Sequence, residues 1–154
     1  MKIFRVAIAL ISLTLIVYQL RQLQPSSESP STTQFTRARL MVGTKSLDVR
    51  VPQTSQASEQ GLSGVASLTD EEGMYWQFQE PSRPNFWMKD MLISLDFLWI
   101  RDGVITEITP NVPAPVNGNL PLYQPKEPVT NVLEVSAGFA QRNNISVGTG
   151  VAIE

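Results

Sequence analysis

Three charged side chains stand inside a stretch that is otherwise apolar and aromatic. Lys89, Asp90 and Asp96 are set among Phe86-Trp87-Met88, Met91-Leu92-Ile93 and Phe97-Leu98-Trp99. A lysine desolvated in such surroundings loses basicity and can serve as a base or nucleophile. A nearby carboxylate does the reverse and holds it charged. The structural alternative is an ion pair, with the Lys89 stem packed on Trp87 and its head on Asp96 or Asp90. Such pairs outnumber catalytic lysines in folds, so the pair is the preferred expectation and no catalytic residue is assigned. Glu134 extends the set, because Asp90, Asp96 and Glu134 could supply the paired carboxylates of a glycosidase-type site. Trp87 offers a flat face for a sugar to stack on, helped by Tyr75 or Tyr123. Tyr123, in a proline-rich stretch, is the better surface candidate. The candidate ligand-binding residues are therefore Trp87, Lys89, Asp90, Asp96, Tyr123 and Glu134.

Composition closes off several other chemistries. The 154 residues contain no Cys and no His. That removes thiolate nucleophiles, the Ser-His-Asp triad and any zinc site ligated by Cys or His. The acidic run Asp70-Glu71-Glu72 lacks the spaced ligands of a calcium loop and reads as a solvated turn. Gly148-Thr149-Gly150 reads as a strand bend. No metal and no cofactor are expected. The formal net charge is −2, and it is unevenly spread. Lys2, Arg5, Arg21 and Arg37 face Glu28 alone up to Ala38, and the remainder is net acidic. An acidic domain does not suit nucleic acid, which calls for a basic face.

The elements that must position these residues follow a membrane-directed leader. Val6 to Tyr18 carries no charge, and Lys2 and Arg5 precede it. This is the positive and apolar pattern of an export signal. No Ala-x-Ala cleavage site follows, and Ile3 to Leu20 just reaches spanning length. An uncleaved signal-anchor over residues 1–21 is preferred to a cleaved signal peptide, which would release the protein. One transmembrane helix is thus expected, with the remainder extracytoplasmic. Residues 22–38, rich in Ser, Thr and Pro, read as a flexible tether.

Residues 39–154 read as a mainly β (α+β) domain: a small, partly closed β-sheet or barrel with one or two short helices. Leu47-Asp48-Val49-Arg50-Val51 alternates as a half-buried strand, and with Leu40-Met41-Val42 it predicts an opening hairpin. Thr54 and Gly61 bracket a short helix as N-cap and stop. Met74 to Phe78 predicts a strand with aromatics on both faces. Phe86 to Ile93 predicts another, bent near Lys89–Ile93 because charges interrupt both of its faces. Leu95 to Ile100 and Val104 to Ile108 flank a hairpin tip at Asp102-Gly103. A long proline-punctuated loop, Pro110 to Pro128, leads to a strand at Val129–Val135, a short helix within Ser136–Asn143 and a last strand within Ile145–Ile153.

At Phe86-Trp87-Met88-Lys89 the chain resembles the DUF192 family, also called UPF0127, of bacterial and archaeal proteins. Other matches are Gly61-Leu62, Gly73-Met74, Leu95-Asp96, Val132-Leu133-Glu134, Ala137-Gly138, and Ile145 with Val147-Gly148. They run in the family's order from roughly Leu47 to the end. Asp90-Met91 stands where the family has Asn-Thr, Ser94 where it has proline, and Thr149 where it closes on aspartate. The resemblance implies a small, mainly β domain with one or two short helices, and no known reaction.

Three functions are weighed. The first is a membrane-tethered module of the cell envelope that binds a small, saccharide-like ligand. The second is a hydrolase or transferase using Asp96 with Lys89 or Asp90. The third is a structural domain that docks on another envelope protein.

Overall fold

The computed structural model describes residues 34–154. The expected anchor over residues 1–21, and the tether as far as residue 33, lie outside the described residues. Among the described residues no helix is long and apolar enough to cross a membrane.

Strands β1 (Phe35–Val42) and β2 (Lys45–Pro52) form the opening hairpin. Gly43 sits at its tip with φ of 60°, a conformation that costs glycine least. β1 starts ahead of the boundary expected at residue 39, because its pairing with β2 continues out to Phe35 opposite Pro52. Helix α1 (Ser55–Gln60) follows, capped by the Thr54 hydroxyl, which accepts from the Ala57 amide, and ended at Gly61 with φ of 54°. β3 (Glu72–Ser82) pairs parallel to β2 and antiparallel to β6 (Val129–Ser136). β4 (Leu95–Arg101) pairs with β6 on one side and on the other with β5 (Val104–Val112). The β4–β5 turn is Asp102-Gly103, with φ of 52° and 76°, the twist that suits a two-residue hairpin. α2 (Phe139–Arg142) is a single turn, and β7 (Val151–Ile153) pairs with β1.

The sheet order is β5-β4-β6-β3-β2-β1-β7. The outermost strands do not end as free edges. The Ile105 amide donates to Thr149 O (3.0 Å), the Gly148 amide to Ile105 O (2.8 Å) and the Val151 amide to Gly103 O (2.7 Å). These bonds stitch the start of β5 to the run into β7, so the sheet curls into a half-barrel. The expected mainly β, partly closed architecture with two short helices is what forms.

Each face of the curled sheet carries its own apolar layer. Leu98 and Ile100 of β4, with Leu133 and Val135 of β6, join Leu40, Val49, Phe139 and Ile145 on one side. Leu95, Phe97 and Trp99, with Met74 and Val132, join Leu62, Phe86, Met88 and Met91 on the other. This is why β4 is buried at six successive positions: alternate side chains enter alternate layers.

The strand expected over Phe86–Ile93 is corrected. Only Phe86 pairs, exchanging backbone hydrogen bonds with Tyr123 (2.9 and 2.8 Å). Asp90 then adopts φ of 57°, which no strand continues through. The alternation is real as burial, with Phe86 and Met88 inward and Trp87 and Lys89 outward, but the stretch is a loop laid over the second layer. The final strand is also shorter than expected, since residues 145–150 turn and bridge before β7 begins.

Candidate functional site

Glu134 belongs to β6, the strand between β3 and β4. Its register partners are Met74 and Phe97, and its neighbour on the same face is Val132, so it enters the layer of Phe86 and Met91. It is 5% exposed, and its Oε2 has no hydrogen-bond partner. Burial pushes the carboxyl up to about 8, against a smaller downward pull from the Trp76 N–H, so Glu134 keeps its proton at neutral pH. The Trp76 indole nitrogen, on β3, is buried beside it with its N–H toward the carboxyl, short of a well-formed hydrogen bond. An unpaired buried donor or acceptor costs about 1–3 kcal/mol, and here donor and acceptor meet at one spot without closing a good bond.

That spot is the floor of a cavity of about 160 Å3. Its walls are Leu62, Trp76, Phe78, Phe86, Trp87 and Met91, and Ser58, Glu59, Ser63 and Asn85 are among the residues around its mouth. Phe86 anchors the wall: its ring meets Trp76 edge-on at 5.1 Å, Phe97 at 5.6 Å and Trp99 at 5.7 Å. The mouth is held by bonds to backbone carbonyls. The Ser63 hydroxyl donates to Lys89 O (2.8 Å), and the Gly64 amide to Asp90 O (2.9 Å). These bonds tie the segment after α1 to the turn at residues 89–90. Helix α1 thereby presents one side of the opening and the Phe86–Met91 loop the other.

The six residues singled out from sequence fall into distinct places. Trp87, 44% exposed, and Glu134 line the cavity together. Lys89 and Asp90 are exposed and serve the mouth through their carbonyls. Lys89 Nζ lies 5.7 Å from the Trp87 ring centroid, a cation–π arrangement. The preferred pairing of Lys89 with Asp96 or Asp90 is not formed. Asp96 is fully buried on the opposite face of the sheet, in register with Val135. Its Oδ1 accepts from the amides of Asn111 (2.8 Å) and Gly138 (2.9 Å), and its Oδ2 from Ala140 (3.0 Å). It satisfies a bulge in β5 and caps α2, whose own N-cap residue Gly138 has no side chain to do so. Asp96 and Glu134 therefore cannot act as a carboxylate pair. Tyr123 is half-buried, with its ring 5.7 Å from Phe97, and does not line the cavity.

Sequence reasoning missed Trp76, Leu62, Phe86 and Met91 as cavity residues. In the strand expected over Met74–Phe78, alternation brings Met74, Trp76 and Phe78 to one face, but only pairing with β6 sets Glu134 beside them. Asp70, within the run that reads from sequence as a solvated turn, is held by partners as well. Asp70 receives Arg142 Nη2 (2.6 Å) and Nε (3.1 Å) and the Ser136 hydroxyl (3.0 Å), and Arg142 holds its carboxyl well below the usual carboxylate range. This clasp joins the turn before β3 to α2. Among the described residues no three acidic side chains gather as a metal site.

Residues 37–153 match the model of the DUF192 family, described as an uncharacterised ACR. A solved structure from Sinorhizobium meliloti 1021, described as a candidate transcription regulator, is similar, with a TM-score of 0.69 and 29% identity. The similarity covers 80% of this chain and 98% of that one. A protein of unknown function from Novosphingobium aromaticivorans DSM 12444 has a TM-score of 0.67 and 26% identity, over 80% of this chain and 89% of its own. No curated protein matches the chain.

Proposed function

The chain belongs to the DUF192 family, and from that premise we propose that its domain binds a small molecule in the Glu134–Trp76 cavity, displayed outside the cytoplasmic membrane on an N-terminal anchor. One observation carries the binding reading: Glu134, a buried carboxyl with an unpartnered oxygen, lines a cavity walled largely by apolar side chains. Native interiors rarely leave such groups unpaired, and a ligand that pairs them is the economical explanation. The anchor reading rests on the uncharged run Val6–Tyr18 behind Lys2 and Arg5.

The walls favour an apolar-bodied ligand over a saccharide, since most hydroxyls of a sugar would go unpaired against Leu62, Phe86 and Met91. The hydrolase or transferase alternative gains no support from Asp96, whose oxygens are spent on backbone amides. Neither does the candidate regulator's description transfer, because the domain is net acidic and a nucleic acid calls for basic residues.

Binding is tested by titrating small aromatic and aliphatic compounds, alongside glycans, into the full chain and following its indole NMR signals. Trp87→Ala, at a half-exposed position, is expected to leave the fold intact and weaken binding by about tenfold. Binding unchanged by Trp87→Ala, or confined to glycans, would count against this cavity. The anchor is tested by protease treatment of spheroplasts, where digestion of the domain is the expected result and protection the contrary one.

A second reading has its own observation. Trp87 and Leu122 sit beside each other through the Phe86–Tyr123 bridge, and both are exposed, as is Leu92. Such a rim suits contact with an envelope protein. Photo-crosslinking from position 122 in cells would capture one defined partner if it holds, and lipid or nothing if it does not.

A further inference from the structure

Most of the arginines among the described residues are engaged. Arg39 faces Asp48 (3.6 Å) and Glu154 (3.8 Å), and Arg142 holds Asp70. Arg83 donates to Pro125 O (2.9 Å) and Arg101 to Pro128 O (3.1 Å). Arg37 and Arg50 differ: among the described residues neither guanidinium forms an ion pair or donates a hydrogen bond. These two are also each other's partners in register, directly opposite on β1 and β2. Leu40 and Val42, with Leu47, Val49 and Val51, take the inner side of that hairpin, so both arginines point outward. Arg37 is exposed and Arg50 half-buried.

Like charges directly opposite across strands weaken the pairing. The surrounding sequence does not dilute this pair. The hairpin Phe35–Pro52 carries four basic residues against Asp48 alone, whereas residues 53–154 carry five basic and twelve acidic ones. Glu72 lies diagonal to Arg50 on β3 and does not pair with it, because its Oε2 accepts from the Thr69 amide (3.1 Å) and hydroxyl (3.0 Å). Thr69, and more weakly Arg50 and Arg37, hold that carboxyl below its usual range. Side chains opposed across strands start about 5 Å apart, so both guanidiniums can close on one anion. One planar fork of N–H donors already fills the oxygens of a carboxylate. The tetrahedral head of a phosphate monoester has acceptors left over for the second fork.

We propose that Arg37 and Arg50 together bind a phosphate group, presented by a soluble phosphate ester or by a lipid headgroup. The site is separate from the cavity, which neither arginine lines, and it stands or falls without it. An anion held between the guanidiniums replaces the repulsion across β1 and β2 with attraction to a shared partner.

The test follows the side-chain Nε–H NMR signals of Arg37 and Arg50 in the full chain, with phosphatidylcholine nanodiscs present and at low ionic strength. Glycerol 3-phosphate and acetate are titrated in solution, and in a separate arm phosphatidic acid is mixed into the nanodisc lipid. Glycerol 3-phosphate or phosphatidic acid is expected to shift both signals saturably, at least about tenfold more tightly than acetate, and to be displaced by salt. A shift with phosphatidic acid alone assigns the group to a headgroup, and one with glycerol 3-phosphate alone assigns it to a soluble ester. The Arg101 signal is the internal control and should stay in place. Arg37→Lys keeps the charge and loses the fork, and is expected to weaken phosphate binding by about tenfold. Arg37→Gln should leave the urea midpoint unchanged or raised, as expected when one of two opposed like charges is removed. Silence in both arms overturns the proposal. So does acetate binding as tightly as phosphate, Arg101 moving with the pair, or Arg37→Lys binding unimpaired, each of which reduces the site to diffuse charge. A clearly lowered midpoint in Arg37→Gln would make the arginine structural, and tighter binding of a duplex oligonucleotide through the pair would move the site to nucleic acid. Either result also overturns the proposal.

Discussion

Asp96 and Glu134 are the two buried carboxylates of the described domain, on strands that lie side by side. They enter opposite layers and meet opposite fates. Asp96 receives three backbone amides and closes a bulge and a helix start. Glu134 has an oxygen with no partner, and the indole N–H beside it reaches the carboxyl only loosely. The first shows what a buried acid looks like when the fold itself uses it. Measured against that standard, the second is unfinished without something in the cavity. Burial alone thus says little about function, and the state of the hydrogen-bond ledger around the buried group says much more.

The contrast can be broken at several points. The largest effect is expected from Asp96→Ala, which strips acceptors from three amides and costs roughly 3–5 kcal/mol in urea unfolding. A loss below about 1 kcal/mol would mean that Asp96 is not the structural acid. Phe86→Ala comes next, at about 3–4 kcal/mol, because it empties the aromatic wall that separates Glu134 from solvent. That variant should also bring Glu134 back toward the ordinary carboxylate range, as read by 13C NMR titration of its carboxyl. Glu134→Gln tests the other side of the comparison through pH. The folded carboxyl titrates near 8 and the unfolded one near 4.5, so the folded state holds the extra proton between those values. Stability is then fully present below about 4.5 and lost progressively as pH rises through about 8, by at most about 1.4 kcal/mol per unit. Glu134→Gln should flatten that decline and leave the variant the more stable protein on the alkaline side. The smallest effect belongs to Lys89→Ala, which should leave the unfolding midpoint unchanged and add independently to Asp96→Ala. Coupling between those two would restore the ion pair that the structure lacks.

The sequence makes local features legible and non-local ones obscure. The Asp102-Gly103 turn, the Thr54 and Gly61 caps and the alternation of β2 each depend on a few adjacent residues, and each forms as expected. The stretch at Phe86–Ile93 misleads because its burial alternates like a strand while Asp90 turns the backbone away. Nothing beside Asp96 in the sequence announces amides from residues 111, 138 and 140. Both acids were visible as candidates. Which face each enters is fixed by register with strands that lie far away along the chain. The cavity was invisible for the same reason, since α1, β3, β6 and the covering loop each supply part of it.

The stitched seam of the half-barrel has a consequence in time. Of the seven strands among the described residues, the one synthesised last, β7, pairs with the one synthesised first, β1. The run just ahead of it holds down the start of β5. Until Gly148–Ile153 has emerged, β1 and β5 both expose open hydrogen-bonding edges, the kind that recruits foreign strands. A nascent domain is therefore most exposed to misassembly just before its synthesis reaches β7. Those few residues, small in buried area, decide when the domain stops being adhesive.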